Sequence, residues 1–303
     1  MPESEAPAAP AALDGRVCVL SGATGGLGRA TARGLAGLGA RVVLLARSAE
    51  KGSALVSSIR AELPEARLEL LVVGDLANLE DSAATADRLL ERYSRIDVLV
   101  HNAGAIFSRR EITTNGFERT FALNVLSPFV LTCRLARRLV ESAPARVVNV
   151  ASAAHRMRTV PWETLADRRP YRPLGAYGES KLELILLTHE FARRFAGTGV
   201  TVNSLHPGLV RSGFGRNNPD GLGRVLGWTL SVVGRSPRIG ARTSVYLASA
   251  PEVRGSTGEY FVRSRAHPSS AASYDPAAER RLFEECERMS GCRFPAQLGP
   301  EGS

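Results

Sequence analysis

A single doubly wound α/β sheet is the fold predicted by this chain of 303 residues. Three observations predict it. Short apolar runs rich in β-branched residues alternate with longer amphipathic runs. A glycine cluster, Gly22-Ala23-Thr24-Gly25-Gly26-Leu27-Gly28, joins the first short run to the first long one. No composition break or internal repeat divides the alternation. Strands linked by crossover helices pair in parallel and are covered on both faces. Right-handed crossovers then wind them into one Rossmann-type domain of about seven strands.

The elements follow in order. Residues 16–21 read as a strand and 26–38 as the helix after it. A strand over 41–46 leads into a helix over 48–63, which Pro64 stops. Strand 67–73 precedes helix 79–93, and strand 96–101 precedes a long helical region over 116–142. Strand 145–151 is separated from the helix at 176–196 by an Arg- and Pro-rich insert over 157–174 that carries Trp162. Strand 200–204, a short helix at 240–249 and a final strand at 258–262 complete the pattern. The expected organisation is an arm over 1–13, the α/β domain over 14–263 with an insert around 209–237, and a tail over 264–303 holding a short helix. Loops as long as the two inserts are uncommon unless they serve a site. Trp162, Phe214 and Trp228 on them suggest an apolar binding surface, with surface decoration as the alternative.

Composition excludes several classes. The net charge of +9 raises nucleic acid or anionic membrane as a partner. The arginines are spread over polar helical positions, however, with no basic run interleaved with aromatics, which argues against nucleic acid. Cys18, Cys133, Cys286 and Cys292 form no Cys-x-x-Cys pair, and Cys18 reads as a small core residue. The five histidines show no ligand spacing, so no metal is expected. The Ala- and Pro-rich start lacks the basic and apolar segments of a secretory signal. The apolar stretch 225–233 is too short to span a bilayer, though it suits a surface amphipathic helix. A cytoplasmic protein without stable membrane insertion is the expectation.

The glycine turn lies at the carboxyl end of a strand and opens a helix. Free backbone N–H groups and the helix dipole favour a phosphate there. The spacing is Gly-x3-Gly-x-Gly, which also suits a tight turn without ligand. At the end of the second strand, where NAD sites place a carboxylate on the ribose, this chain has Arg47 and Ser48. A guanidinium binds a 2′-phosphate through charge-assisted hydrogen bonds, so NADP(H) is expected over NAD. The alternative is that Arg47 is one more arginine among many.

Only Lys51 and Lys181 among the 39 basic residues are lysine. Lys181 follows Tyr177 by one helical turn, which places both on one face. An ammonium near a phenol lowers the phenol pKa and makes it usable as an acid or base near neutrality. By itself the pair also fits the surface of an amphipathic helix.

Together these residues resemble the short-chain dehydrogenase/reductase family over nearly the whole chain after the arm. Gly22, Thr24, Gly25, Gly26, Leu27 and Gly28 match its glycine turn, with Ser21 where threonine is commoner. Asp75-Leu76 matches its adenine-contacting pair, and Asn102-Ala103-Gly104 its Asn-Ala-Gly turn. Asn124, Ser152, Tyr177 and Lys181 match its catalytic tetrad, and Pro207, Gly208, Val210 and Ser212 the segment beside the nicotinamide. Asn149 to His155 and the tail are most similar to the retinol-dehydrogenase and WW-domain-oxidoreductase branch, without its WW module or an obvious membrane anchor. The resemblance implies that Tyr177 exchanges a proton with a carbonyl or alcohol, and that Ser152 holds the substrate oxygen. It further implies that Lys181 holds the nicotinamide ribose and that Asn124 fixes a relay water. Phe214 and Trp228 are expected to face a bulky apolar carbonyl or alcohol substrate. His155 is expected to be a loop hydrogen-bonder outside the catalytic set. Apolar faces on the helices around 117–139 and 176–195 suggest a homodimer or homotetramer. A redox-silent NADPH-binding scaffold or sensor on the same fold remains the alternative.

Overall fold

A computed structural model describes residues 12–208, 210 and 236–298. Strands β1 (Val17–Leu20), β2 (Arg41–Ala46), β3 (Leu68–Val72), β4 (Val98–His101), β5 (Ala145–Val150), β6 (Val200–His206), β7 (Tyr260–Val262) and β8 (Arg265–Ala266) form one sheet in the order β3-β2-β1-β4-β5-β6-β7-β8. All neighbours pair in parallel except β7 and β8. The order in which successive strands are added reverses at β1, which pairs β2 on one side and β4 on the other. Such a switch point opens a crevice at the carboxyl ends of the strands. The sheet thus has one strand beyond the seven expected. β8 is two residues long and exposed, too short to leave a periodic signal.

Alternation within each strand splits the core into two. Val17 and Val19 of β1 and Val43 and Leu45 of β2 face one side, while Cys18, Leu20, Val42 and Leu44 face the other. Helices α1 (Gly26–Gly37), α2 (Ala49–Glu62) and α7 (Pro237–Ser249) cover the second side through Leu35, Ile59 and Leu247. Helices α3 (Leu79–Arg92), α5 (Ser127–Glu141), α6 (Pro173–Arg194) and α8 (Pro276–Ser290) cover the first through Leu89, Leu135, Leu186 and Phe283. Cys18 is fully buried, as its apolar run implied.

Helix α8 is more substantial than a short tail helix. Asp275 caps it by accepting from the backbone N–H of Ala277 and Ala278, Pro276 opens it, and Gly291 at φ 64° ends it. Its buried Leu282, Phe283 and Cys286 dock on α6, where Phe283 stacks edge-on against Phe191. Helix α6 is thus packed along its length within this chain, with α8 as one of its neighbours.

The insert before α6 is held rather than loose. Arg168, 3% exposed, donates to Glu179 at 2.9 Å and to Glu183 at 2.5 Å, both on α6. Tyr171 donates its hydroxyl to the Phe107 carbonyl at 2.6 Å. Trp162, expected on a binding surface, packs against the core with the Arg281 guanidinium 4.2 Å from its ring centroid.

Candidate active site

The β1–α1 turn is shaped by backbone crowding. Gly22 has φ 64°, and a Cβ there would lie 2.7 Å from Ala103 Cα. A Cβ on Gly28 would overlap the Gly22 carbonyl oxygen and lie 2.9 Å from Ala23 Cα. The turn is bolted to the end of β4. Asn102 Nδ2 donates to the carbonyls of Ser21 and Gly22 at 3.1 and 3.0 Å, and Ser21 Oγ accepts from the N–H of Asn102 and Ala103.

This turn fits a phosphorylated nucleotide. Helix α1 begins after Gly25 with no side-chain cap and no acidic residue in its first turn. Its first N–H groups and positive dipole end are thus left for an anion. Gly25 is exposed, while Thr24, Gly26 and Leu27 keep part of their surface open. Asn102 Oδ1 is buried with no partner among the described residues, an acceptor in want of a donor.

Arg47 and Ser48 lie at the end of β2. Ser48 Oγ accepts from Lys51 N at 3.2 Å as the N-cap of α2, which still leaves its O–H free to donate. Arg47 is 61% exposed, with Nη1 3.7 Å from Asp75 Oδ2. Leu76 departs from expectation: its side chain is 5% exposed in the core and its carbonyl accepts from Ser82 Oγ at 2.9 Å. The Asp75 carboxylate, by contrast, is half-buried and keeps part of its surface open. Sequence reasoning missed Arg119, whose Nη2 donates to Asp75 Oδ2 at 2.6 Å. The two are 44 residues apart, beyond any local pattern.

At the other end of the crevice, Ser152, Tyr177, Lys181 and Asn124 come together from three elements. A helical segment starting as α4 (Arg119–Phe121) widens into a π-turn (Ala122–Leu126) before α5, and Asn124 sits in that turn. Its Nδ2 donates to the Ala105 carbonyl at 3.0 Å and to Ser180 Oγ at 2.9 Å, and its Oδ1 accepts from Ala105 N. Ser180 in turn donates to the Tyr177 carbonyl at 2.8 Å. Lys181 Nζ donates to the Val150 carbonyl at 2.9 Å, at the end of β5, and lies 5.6 Å from the Tyr177 ring centroid. Two glycines allow the approach. A Cβ on Gly104 would come within 3.2 Å of both Asn124 Oδ1 and Lys181 Nζ, and one on Gly178 within 2.6 Å of the Ala154 carbonyl.

Ser152 and Tyr177 are half-buried, whereas Asn124 and Lys181 are buried. The Tyr177 and Ser152 hydroxyls are hydrogen-bonded. Burial of the phenol pushes its pKa up to about 12, opposed by the Ser152 hydrogen bond. Burial pushes Lys181 down to about 8. Desolvation thus raises the Tyr177 phenol and lowers the Lys181 ammonium, each shift disfavouring the charged form.

Two histidines brace the serine segment. His155 Nε2 accepts from Ser270 N at 3.0 Å, so Nδ1 carries the proton and donates to the Ser152 carbonyl at 2.6 Å. With both nitrogens engaged, His155 is the loop hydrogen-bonder expected. His206 Nδ1 accepts from Ala153 N at 3.2 Å, and burial pushes this ring down to about 4. Pro207 and Gly208, the latter at φ 85°, lead out of β6, and Val210 is buried against Gly240. Ser212, Phe214 and Trp228 lie outside the described residues. Among the described residues no helix is long and apolar enough to cross a membrane, and no cluster of three His, Cys, Asp or Glu is placed to hold a metal.

Comparison with known proteins agrees with this geometry. Residues 16–222 match the family model described as short chain dehydrogenase. The chain is 39% identical to mouse retinol dehydrogenase 12 over 91% of its own length and 87% of the relative's. It is 37% identical to mouse retinol dehydrogenase 14 over 93% and 88%. Among solved structures, an uncharacterized protein from Mycobacterium paratuberculosis superposes with a TM-score of 0.74 at 28% identity, covering 93% of this chain and 96% of that one. The Pseudomonas aeruginosa RhlG/NADP active-site complex follows with a TM-score of 0.66 at 26% identity, covering 88% and 98%. Relatives this similar over nine-tenths of its length, and a family model spanning most of it, make this chain a retinol dehydrogenase-like member of the short-chain dehydrogenase/reductase family, an oxidoreductase acting on alcohol and carbonyl groups.

Proposed function

We propose that the protein interconverts a bulky apolar alcohol and its ketone or aldehyde with NADP(H). The observation that carries this reading is the hydrogen-bonded Tyr177–Ser152 hydroxyl pair, with Lys181 one turn further along the tyrosine's helix and its ammonium on the Val150 carbonyl. Bound there, the nicotinamide would supply hydride exchange with the substrate carbon. Gly22 to Gly28 and Asn102 would hold the pyrophosphate end, and Arg47 with Ser48 the 2′-phosphate. NADP in the Pseudomonas aeruginosa complex supports the phosphorylated cofactor. The names of the mouse relatives support a bulky apolar alcohol.

In the reducing direction Tyr177 gives its proton to the substrate oxygen. A phenol near 12 is fully protonated at neutral pH and ready for that step. In the oxidising direction it takes the proton, which requires the positive charge of Lys181 behind it. Ser152 donates to the same oxygen and stabilises developing negative charge. Asn124 has its side-chain amide committed to Ala105 and Ser180, so its role is to hold the turn that brings Lys181 and Gly104 together. The buried free thiols of Cys18, Cys133 and Cys286 support a reducing compartment, the cytoplasm.

The test is NADPH oxidation over a panel of bulky apolar ketones and aldehydes, with wild type and Tyr177→Phe. Turnover by wild type and a loss of about 10³-fold in the variant are expected, with NADPH affinity within about twofold. A redox-silent scaffold would bind NADPH and turn over nothing. Near-normal turnover in Tyr177→Phe would refute the acid–base assignment.

A further inference from the structure

Two guanidiniums converge on one carboxylate oxygen at the adenine end of the crevice. Arg119 Nη2 is 2.6 Å from Asp75 Oδ2, and Arg47 Nη1 is 3.7 Å from the same atom. The difference in distance separates a hydrogen bond from a loose ion pair.

Arg119 is fixed from several directions. Its Nη1 pairs with the Glu111 carboxylate, its backbone N–H donates to the Glu111 carbonyl at 2.9 Å, and its guanidinium lies 4.9 Å from the Phe107 ring centroid. Asp75 is held as well, since its Oδ1 accepts from Ala77 N at 3.2 Å. Arg47 is not held. It is 61% exposed and, among the described residues, makes that one loose ion pair and no hydrogen bond.

We infer that Arg119 is a positioning residue for cofactor choice: by occupying Asp75, it keeps the Arg47 guanidinium free for a 2′-phosphate. This rests on the proposal that Arg47 receives that phosphate. Without Arg119, Asp75 has one cation within reach. A carboxylate and a guanidinium form a two-pronged pair readily, and Arg47 is flexible enough to turn onto it. The corner would then lose the free guanidinium donors that distinguish a phosphorylated ribose from a bare one. NADH, which lacks the 2′-phosphate, would lose far less.

The experiment measures NADPH and NADH dissociation constants by titration calorimetry on the full chain at one fixed ionic strength. In Arg119→Gln the preference for NADPH over NADH is expected to fall about tenfold. Arg119→Lys, which keeps a cation on Asp75, should retain most of it. Adding Asp75→Asn to Arg119→Gln should restore the preference to within about twofold, because a neutral amide no longer captures Arg47. An unchanged preference in Arg119→Gln overturns the inference. So does an equal weakening of both cofactors that Asp75→Asn fails to reverse, which would mark a packing role. Should Arg119→Gln fail to fold, Asp75→Asn alone decides: its preference should match or exceed wild type, and a fall below it overturns the inference. Arg47→Ser tests the underlying reading separately. If that variant keeps the full NADPH preference, the 2′-phosphate assignment itself is wrong.

Discussion

Lys181 and Arg47 are cations at opposite ends of one crevice, yet they live under different physics. Lys181 is 4% exposed, with its ammonium against the Val150 carbonyl, Gly104 and the Tyr177 ring. Arg47 is 61% exposed and touches one carboxylate loosely. Charge in a dry, crowded place costs desolvation and acts strongly on its neighbours. Charge at the surface costs little, is screened by salt within about 8 Å at physiological ionic strength, and acts by being available. The chemical end is thus built by commitment, with Lys181 held on the Val150 carbonyl and Asn124 on Ala105 and Ser180. The cofactor-selecting end is built by leaving one guanidinium uncommitted.

The comparison is broken most directly at Lys181. Lys181→Met should lower kcat/KM by about 10³-fold, because the phenol loses the buried cation one helical turn away. The same substitution reports the cost of burial through pH. The folded pKa of about 8 lies below the ordinary 10.5, so between those values the unfolded chain binds more protons and stability rises with pH. Denaturant melts of the apo protein should show wild type gaining on Lys181→Met by about 3 kcal/mol from pH 8 to 10.5. A flat difference across that window would mean the ammonium is not desolvated.

A middle-sized effect is expected where backbone alone does the work. Gly28→Ala drives a Cβ into the Gly22 carbonyl and against Ala23. Neither neighbour is a flexible side chain, so the turn must shift. NADPH affinity should drop by about 30-fold or more, with a lowered melting temperature. Normal affinity would show that the turn is not the phosphate cradle.

The smallest effect belongs to the exposed end. Arg47→Asp should shift the NADP/NAD preference of kcat/KM toward NAD by about tenfold, and less as salt is raised. Equal loss with both cofactors would place Arg47 outside the 2′-phosphate site.

Much of this was legible in the residues. Cys18 and Leu20 point one way and Val17 and Val19 the other because a strand has a period of two, and the run of β-branched residues already says so. The glycine turn was legible because only glycine tolerates the contacts at positions 22 and 28. The spacing from Tyr177 to Lys181 placed both on one helical face. Helix α8 could have been seen at full length from Asp275-Pro276 at its start and Gly291 at its end. The inward turn of Leu76 and the pairing of Arg119 with Asp75 left no local trace. Each depends on which distant segment arrives beside it.

By itself the sequence determined the alternation of elements, the two apolar faces of the sheet, the turn at its switch point and the residue types gathered at its carboxyl edge. All of these are local: they follow from a period, a cap or a missing Cβ. Tertiary structure alone decided that Tyr177 is driven toward 12 and Lys181 toward 8, that Trp162 packs against the core, and that Arg119 and Arg47 meet at one oxygen of Asp75. Desolvation and charge pairing depend on what surrounds a group in three dimensions, and the order of residues along a chain does not contain that distance.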